Sequence, residues 1–357
     1  MEKSKILAVG CGGCGCNQLD VFLGLDKRYT GVFMNTNLSE MENLKFFDRK
    51  RRCFYIANAD GTGKNRTVAE EYIKEEAPKF AEMIKKFINQ DVVYFFSSMN
   101  GGTGSKAIIL LPYIVKNLCP EKSLNIVATF PSLTESDLDF ENTIDTWNEL
   151  IALKNKKIID SIQFIDNNKC SNEQEVNLRA MKELNEGFEV VGGKLDSSDT
   201  KRVHCSNGYK VVLKLDNKIR DINDAIDVSM KSSVFYMPEK FNCDGMIGNI
   251  NKNDFDINSM KKDFEVYGFS KFNNGDDGNN VIVFGGCEMP KEAIELTKEA
   301  LKEMKNKKSK RVVQDDLIVQ RENTNKNRSG EEEVETKSKL SSKDLDDLFA
   351  DDNFWDI

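Results

Sequence analysis

Short apolar runs bounded by polar or glycine residues recur along the first half of the chain: Ile6–Val9, Val32–Met34, Phe54–Ile56, Val92–Phe96, Ile126–Ala128 and Ile162–Ile165. Runs of that length without alternation suit strands buried on both faces, as in a parallel sheet. Between them the apolar positions fall at helical spacing over Val68–Phe87 and Leu138–Leu153. Past the sixth run, Val176, Ala180, Leu184, Phe188 and Val191 recur every three or four residues, the stripe of one long amphipathic helix. A second unit follows, with Val211–Leu213, a helix around Ile219–Met230, Val281–Phe284 and a helix Pro290–Met304. Strands alternating with helices predict an α/β fold with a mostly parallel sheet.

Composition narrows the class. The chain has 357 residues with a net charge of −8, which argues against a generic nucleic-acid-coating body. Its apolar runs fall short of a membrane span, and Met1–Lys5 carries no signal-peptide pattern, so a cytoplasmic protein with no membrane partner is expected. Nine scattered cysteines read as reduced thiols rather than a disulfide framework. From Arg321 to Ile357 six basic residues face eleven acidic ones, a net of −5. A segment so polar is expected to be disordered in isolation, ending in the acidic-hydrophobic tip Leu345, Leu348, Phe349, Phe354 and Trp355.

The chemistry concentrates in three glycine segments placed after strands. Gly10-Cys11-Gly12-Gly13-Cys14-Gly15-Cys16-Asn17 follows the first strand. Ser97-Ser98-Met99-Asn100-Gly101-Gly102-Thr103-Gly104-Ser105 follows the fourth, and Asp60-Gly61-Thr62-Gly63-Lys64-Asn65 the third. Glycine lets a backbone turn tightly against phosphate, and a following helix start offers free amides and a positive dipole end. Gly10, Gly12 and Gly15 also fit the dinucleotide pattern, so a nicotinamide- or flavin-dependent oxidoreductase is the alternative reading. That reading lacks the acid expected after the second strand, where Asn35-Thr36-Asn37 stands, and leaves the second loop unexplained. Cys11 and Cys14 have C-x-x-C spacing, but no second such pair exists and His204 is the only histidine, so no metal centre is expected.

Gly101-Gly102-Thr103-Gly104-Ser105, the first loop ending in Asn17, and Asn35-Thr36-Asn37 together resemble the phosphate and N-T-D motifs of the tubulin/FtsZ superfamily. The acidic tail and divergent second half are similar to its phage and plasmid branch. The resemblance departs at Asn100 and Lys106, where the family commonly has glycine. It implies a Rossmann-like GTP-binding domain over residues 1–170, a long central helix over 171–194, a smaller α+β assembly domain over 195–320, and a flexible acidic tail over 321–357.

It also implies GTP and GDP as nucleotides, with Mg2+, and roles for particular residues. Gly12, Gly13, Cys14, Asn17, Asn35, Gly63, Lys64, Asn100, Gly101, Gly102, Thr103, Gly104 and Ser105 would surround the nucleotide, Glu135 the ribose, and Asn167 and Asn177 the guanine. Lys194-Leu195-Asp196-Ser197-Ser198-Asp199 resembles the family's catalytic loop, with Asp196 and Asp199 as the catalytic carboxylates. Asp196 lies nineteen residues beyond Asn177, roughly 28 Å if helical. On this reading the protein is a self-assembling GTPase with itself as head-to-tail partner, and hydrolysis is completed in trans. The resemblance further implies phage or plasmid DNA partition through a DNA-binding adaptor on the tail, without direct nucleic-acid contact.

Overall fold

The computed structural model describes residues 1–57, 59, 61–260, 265–276 and 278–312. Asp60 of the third glycine segment and the whole acidic segment 321–357 lie outside the described residues. The elements alternate as β1 (Ile6–Cys11), α1 (Gly12–Leu25), β2 (Thr30–Asn35), α2 (Leu38–Glu42), β3 (Cys53–Tyr55), α3 (Arg66–Lys85), β4 (Val92–Ser98) and α4 (Thr103–Leu118). They continue with β5 (Ser123–Phe130), α5 (Asp137–Asn155), β6 (Ser161–Asp166), α6 (Glu173–Phe188), α7 (Ser197–His204), β7 (Gly208–Leu215) and α8 (Ile222–Ser232). β8 (Cys243–Ile250), β9 (Val266–Asn274), β10 (Asn280–Cys287) and α9 (Lys291–Val312) complete the order.

Among the described residues, ten strands form one sheet in the order β3-β2-β1-β4-β5-β6-β7-β10-β8-β9. From β3 to β7 every pairing is parallel, which confirms the α/β class. β10 then runs antiparallel between β7 and β8, and β9 is parallel to β8. Chain order reverses beside β1: β2 and β3 lie to one side, β4 and its successors to the other. Open α/β sheets bind ligands at the carboxyl edge of that switch point. Residues Met1 to Leu301 form one compact unit, and the described part of the remainder is the end of α9.

Both sheet faces are covered, so the strands read as unbroken apolar runs; all six residues of β1 are buried. On one face α1 and α6 bury Leu19, Phe22, Val176, Ala180, Leu184 and Phe188 against Tyr94, Phe96 and Val127. On the other, α4 packs between α3 and α5 and is buried nearly all round from Thr103 to Pro112.

The central helix is shorter than its sequence stripe suggests. α6 stops at Phe188, and Val191 is exposed beyond it. Gly192 and Gly193, both at positive φ, turn the chain back so that the Leu195 amide donates to the Gly192 carbonyl. The catalytic-type segment after it is largely helical: Asp196 is the N-cap of α7, and Asp199 lies in its first turn. β8 and β9 carry no sequence signal, because glycine and asparagine interrupt β8 and only one of the nine residues of β9 is buried.

Candidate functional site

At the switch point, α1 begins immediately beyond β1 and α4 after a four-residue loop beyond β4, both with no side-chain cap: neither Cys11 nor Gly102 supplies one. The N-termini of α2, α3, α5, α6, α7 and α8 are all capped by Asn, Ser or Asp side chains. Two helix starts thus keep free amides and positive dipole ends facing a shared crevice, the arrangement that holds anions. Gly12, at φ 69°, sits against the other loop, since a β-carbon there would lie 2.9 Å from the Gly104 amide nitrogen. A cavity of about 210 Å³ opens between these loops, lined by Gly12, Gly13, Asn35, Gly63, Gly101, Gly102, Thr103 and Gly104. The Thr103 hydroxyl lies 2.8 Å from that of Thr36 and 3.3 Å from that of Thr62.

A second cavity of about 260 Å³ shares Ser98 and Gly101 with the first and takes in Cys14, Asn17, Lys64, Asn100, Glu135, Asn167 and Asn177. The amides of Asn17, Asn167 and Asn177 present donors and acceptors there. Asn177, at the start of α6, is buried and held by Gln18, whose Nε2 donates to Asn177 Oδ1 at 3.2 Å and to Thr129 Oγ1 at 2.6 Å. Glu135 accepts from the Ser132 amide at 3.0 Å and from Asn100 Nδ2 at 2.7 Å. Burial pushes its carboxyl above the usual range.

Lys64 closes the crevice from the third loop in a left-handed conformation, φ 63°. Its ammonium pairs with Asp139 and lies 3.9 Å from Glu135. Asn142 on α5 donates to the carbonyls of both Lys64 and Asn100 at 3.0 Å. Burial alone would raise the Asp139 carboxyl, but bonds from Lys64 and Ser136 outweigh it and hold it below the usual range. Sequence reasoning missed Gln18, Thr129, Asp139 and Asn142. Only Asp139 left a local trace, the Ser136–Asp139 capping box.

The structure sets one of the expected residues apart. Ser105 faces away from both cavities: its buried hydroxyl lies 2.5 Å from the Gly101 carbonyl and accepts from Arg66 Nε at 3.2 Å, bracing the loop from behind. Gly104 is glycine for packing, because a β-carbon there would lie 2.6 Å from the Cys11 carbonyl at the end of β1. The thiol of Cys14 is pushed up to about 12 by burial, which leaves it a poor metal ligand. Among the described residues no three His, Cys, Asp or Glu gather to hold a metal ion. Nor is any described helix long and apolar enough to cross a membrane.

Asp196 and Asp199 lie elsewhere. Asp196 borders a hollow of about 320 Å³ formed by Met1–Lys3, Gly192, Leu195 and Thr200, and Asp199 lies one turn on in α7. Met1–Lys3 precede β1, whose far end makes the crevice, so the two carboxylates stand at the opposite sheet edge. The helical path from Asn177 ends after eleven residues at Phe188, about 17 Å, and a turn supplies the rest. Asp196 accepts from the Asp199 amide at 2.8 Å and from Ser198 Oγ at 2.7 Å, and these bonds hold its carboxyl below the usual range. Asp199 pairs with Lys271 at 2.5 Å.

Comparison with known proteins agrees with this geometry. Residues 5–173 match the Tubulin/FtsZ family, GTPase domain. The tubulin-like protein TubZ of Clostridium botulinum C phage is 25% identical over 98% of this chain and 99% of its own. CetZ of Pyrococcus horikoshii is 28% identical over 51% of this chain and 49% of its own. Among solved structures, tail-truncated TubZ of Clostridium botulinum phage c-st superposes with a TM-score of 0.77 at 26% identity, covering 85% of this chain and 99% of that one. A GTPγS-form protofilament of Bacillus thuringiensis TubZ shares the fold, with a TM-score of 0.71 at 16% identity over 87% and 94% of the two chains. The nicotinamide or flavin alternative finds no support in these likenesses or in a crevice shared by two glycine loops. Residues 5–173 thus resemble the GTPase domain of the Tubulin/FtsZ family, and the similarity to TubZ runs nearly the whole length of the chain.

Proposed function

We propose that the protein is a self-assembling GTPase that stacks head to tail and completes hydrolysis across the contact between subunits. The convergence of two uncapped helix starts at the β1–β4 switch point carries the nucleotide half of this reading. The amides of Gly12, Gly13, Thr103 and Gly104 would hold the phosphates, with Asn17, Asn167 and Asn177 around the base and Glu135 beside the ribose. Glu40 and the hydroxyls of Thr36, Thr62 and Thr103 are among the oxygen donors that line the smaller cavity. One carboxylate, hydroxyls and phosphate oxygens are a donor set that suits Mg2+, which usually arrives with its nucleotide. When bound, the ion would neutralise charge on the phosphate oxygens.

The opposite placement of Asp196 and Asp199 supports catalysis in trans. In a head-to-tail stack these carboxylates would face the terminal phosphate of the subunit below. There they would orient and deprotonate the water whose oxygen attacks the γ-phosphorus as GDP leaves. A heterologous contact of this type propagates into a filament. Residues 1–170 would then bind nucleotide, α6 would join the two sites, and the part from 195 to 320 would present the catalytic face. Relatives named TubZ, including one from a phage, suggest cytoplasmic filaments that partition phage or plasmid DNA through an adaptor.

Phosphate release and light scattering, followed against protein concentration with GTP and GTPγS, test the reading. Turnover per subunit should rise steeply above a critical concentration and scattering should persist with GTPγS. Constant turnover per subunit down to dilute monomer would remove the trans step.

A further inference from the structure

The β8–β10 ladder contains a cysteine pair that the GTPase reading does not use. Its antiparallel register runs from Val281 opposite Asn249 to Gly285 opposite Gly245. Beyond that pair the strands stay side by side, since a β-carbon on Gly286 would lie 2.8 Å from Cβ of Asp244, but Gly286 is at φ 74° and β10 shifts its register on β7 between Phe284 and Cys287. Two residues past the Gly285–Gly245 pair stand Cys287, the last of β10, and Cys243, the first of β8. A disulfide spans Cα atoms about 4.4–6.8 Å apart, the spacing of strand ends that lie side by side. Both thiols are buried.

We propose that Cys243 and Cys287 form a reversible cross-strand disulfide under oxidising conditions, a redox staple at the end of the β8–β10 ladder. Contact between the two sulfurs favours it: a hydrogen bond from Cys287 draws the Cys243 thiol below its usual range, while Cys287 is pushed up by the same contact. Cys243 is thus the nucleophile and Cys287 the resolving thiol. With a peroxide as oxidant, the Cys243 thiolate attacks one oxygen, the O–O bond breaks, and the departing hydroxide takes up a proton to give water. Cys287 then attacks the Cys243 sulfenic sulfur; the S–S bond forms, the S–O bond breaks, and the leaving hydroxide accepts the Cys287 proton as a second water. Two thiols are oxidised and one peroxide is reduced to two waters.

The staple has structural leverage. Gly245 and Gly285, one alternation away on the same pair of strands, form the seat of α7, since a β-carbon on Gly245 would lie 2.9 Å from Val203 Cγ2. Closing the pair pins the strands beneath the helix that carries Asp199.

Full-length protein treated with hydrogen peroxide, alkylated with N-ethylmaleimide and digested without reductant should yield one peptide pair joined through Cys243 and Cys287. The thermal midpoint should rise on oxidation and fall back with dithiothreitol. Cys243→Ser and Cys287→Ser should each lose the linked peptide and the rise. Should either serine variant fold poorly, the wild-type peptide map decides alone. Recovery of Cys243 and Cys287 as alkylated thiols after peroxide treatment overturns the proposal, whatever the outcome for GTP hydrolysis.

Discussion

Gly12 and Gly104 meet where the two phosphate-type loops converge, with room between them for no side-chain carbon: a β-carbon on Gly12 would lie 2.9 Å from the Gly104 nitrogen. That contact fixes the spacing between the helix starts of α1 and α4, and therefore the width of the anion site. Gly104 is held just as tightly from behind by the Cys11 carbonyl. Gly104→Ala should therefore prise the loops apart rather than merely obstruct a phosphate. Overpacking of this type costs about 1–3 kcal/mol, so both the thermal midpoint and GTP affinity should fall. Calorimetric titration beside a melting curve checks it, and unchanged values of both would contradict the packing role.

Asp139 ties three loops together without belonging to any sequence motif of the site. It pairs with Lys64 of the third loop, accepts from Asn100 of the second at 3.0 Å, and caps α5 through Ser136. Asp139→Asn should release Lys64 and weaken GTP binding roughly tenfold, the scale of one charge-assisted hydrogen bond. Lys64→Met in that background should add little more, because the pair is already broken. Additive losses in the double variant would show that Lys64 and Asp139 act separately.

The nucleotide half was legible because burial on both faces of a parallel sheet leaves continuous apolar runs, and because glycine loops announce backbone turns. What escaped reading depends on contacts distant in sequence. Gln18 reaches Thr129 across 111 residues, and Lys64 reaches Asp139 across 75. No local pattern encodes such partners. Gly104 shows a subtler gap: its motif was visible, but only the Cys11 carbonyl behind it reveals why glycine is required there. The stripe through Val191 overran α6 because periodicity alone does not register the left-handed turn at Gly192 and Gly193.

Lys210 gives stability a pH dependence. It is fully buried beneath α6 and donates to the Tyr94 hydroxyl at 2.8 Å, and burial lowers it from 10.5 to about 7. Between those values the unfolded chain binds the proton that the folded chain has released. Stability from this group therefore increases as pH rises from about 7 towards 10.5 and is lost as pH falls through that window. The slope is at most about 1.4 kcal/mol per pH unit. Buried phenols and thiols that titrate late oppose it, so the measurement is a difference. Denaturant melts of the wild type and Lys210→Met at pH 7 and 9 should show a smaller gain, or a larger loss, in the variant. Equal pH dependence would mean that Lys210 remains charged in the fold.

The acidic segment beyond residue 320 carries an expectation of its own. Leu345, Leu348 and Phe349 share one face if that stretch becomes helical, but so short and like-charged a helix is marginal alone. A basic, apolar groove on a DNA-binding adaptor would supply the missing partner. Deleting residues 344–357 should spare GTP hydrolysis and polymerisation while abolishing cosedimentation of the adaptor–DNA complex with filaments. If recruitment survives and bundling at low salt increases instead, the segment acts only as an electrostatic spacer.

Catalysis across the subunit contact yields the sharpest test. Asp199 completes the capping box of α7 by accepting from the Asp196 amide, and it pairs with Lys271, so alanine there would also disturb the helix start. Asn preserves the shape and part of the capping while removing the charge, and Asp199→Asn should bind GTP normally, polymerise and hydrolyse slowly, leaving persistent filaments. Its own crevice remains intact, so its nucleotide lacks only a neighbour's carboxylate. A second variant can provide that group. Gly13→Glu places a negative side chain in the smaller cavity, where an added β-carbon meets only the end of the Glu40 side chain, and should repel phosphate without disrupting the fold. Neither variant alone should turn over GTP at the wild-type rate. Mixed, Gly13→Glu subunits would present an intact Asp199 to GTP held by Asp199→Asn subunits, and phosphate release should exceed the sum of the two separate rates. Wild-type turnover by Asp199→Asn alone at polymerising concentration would place the catalytic carboxylate elsewhere.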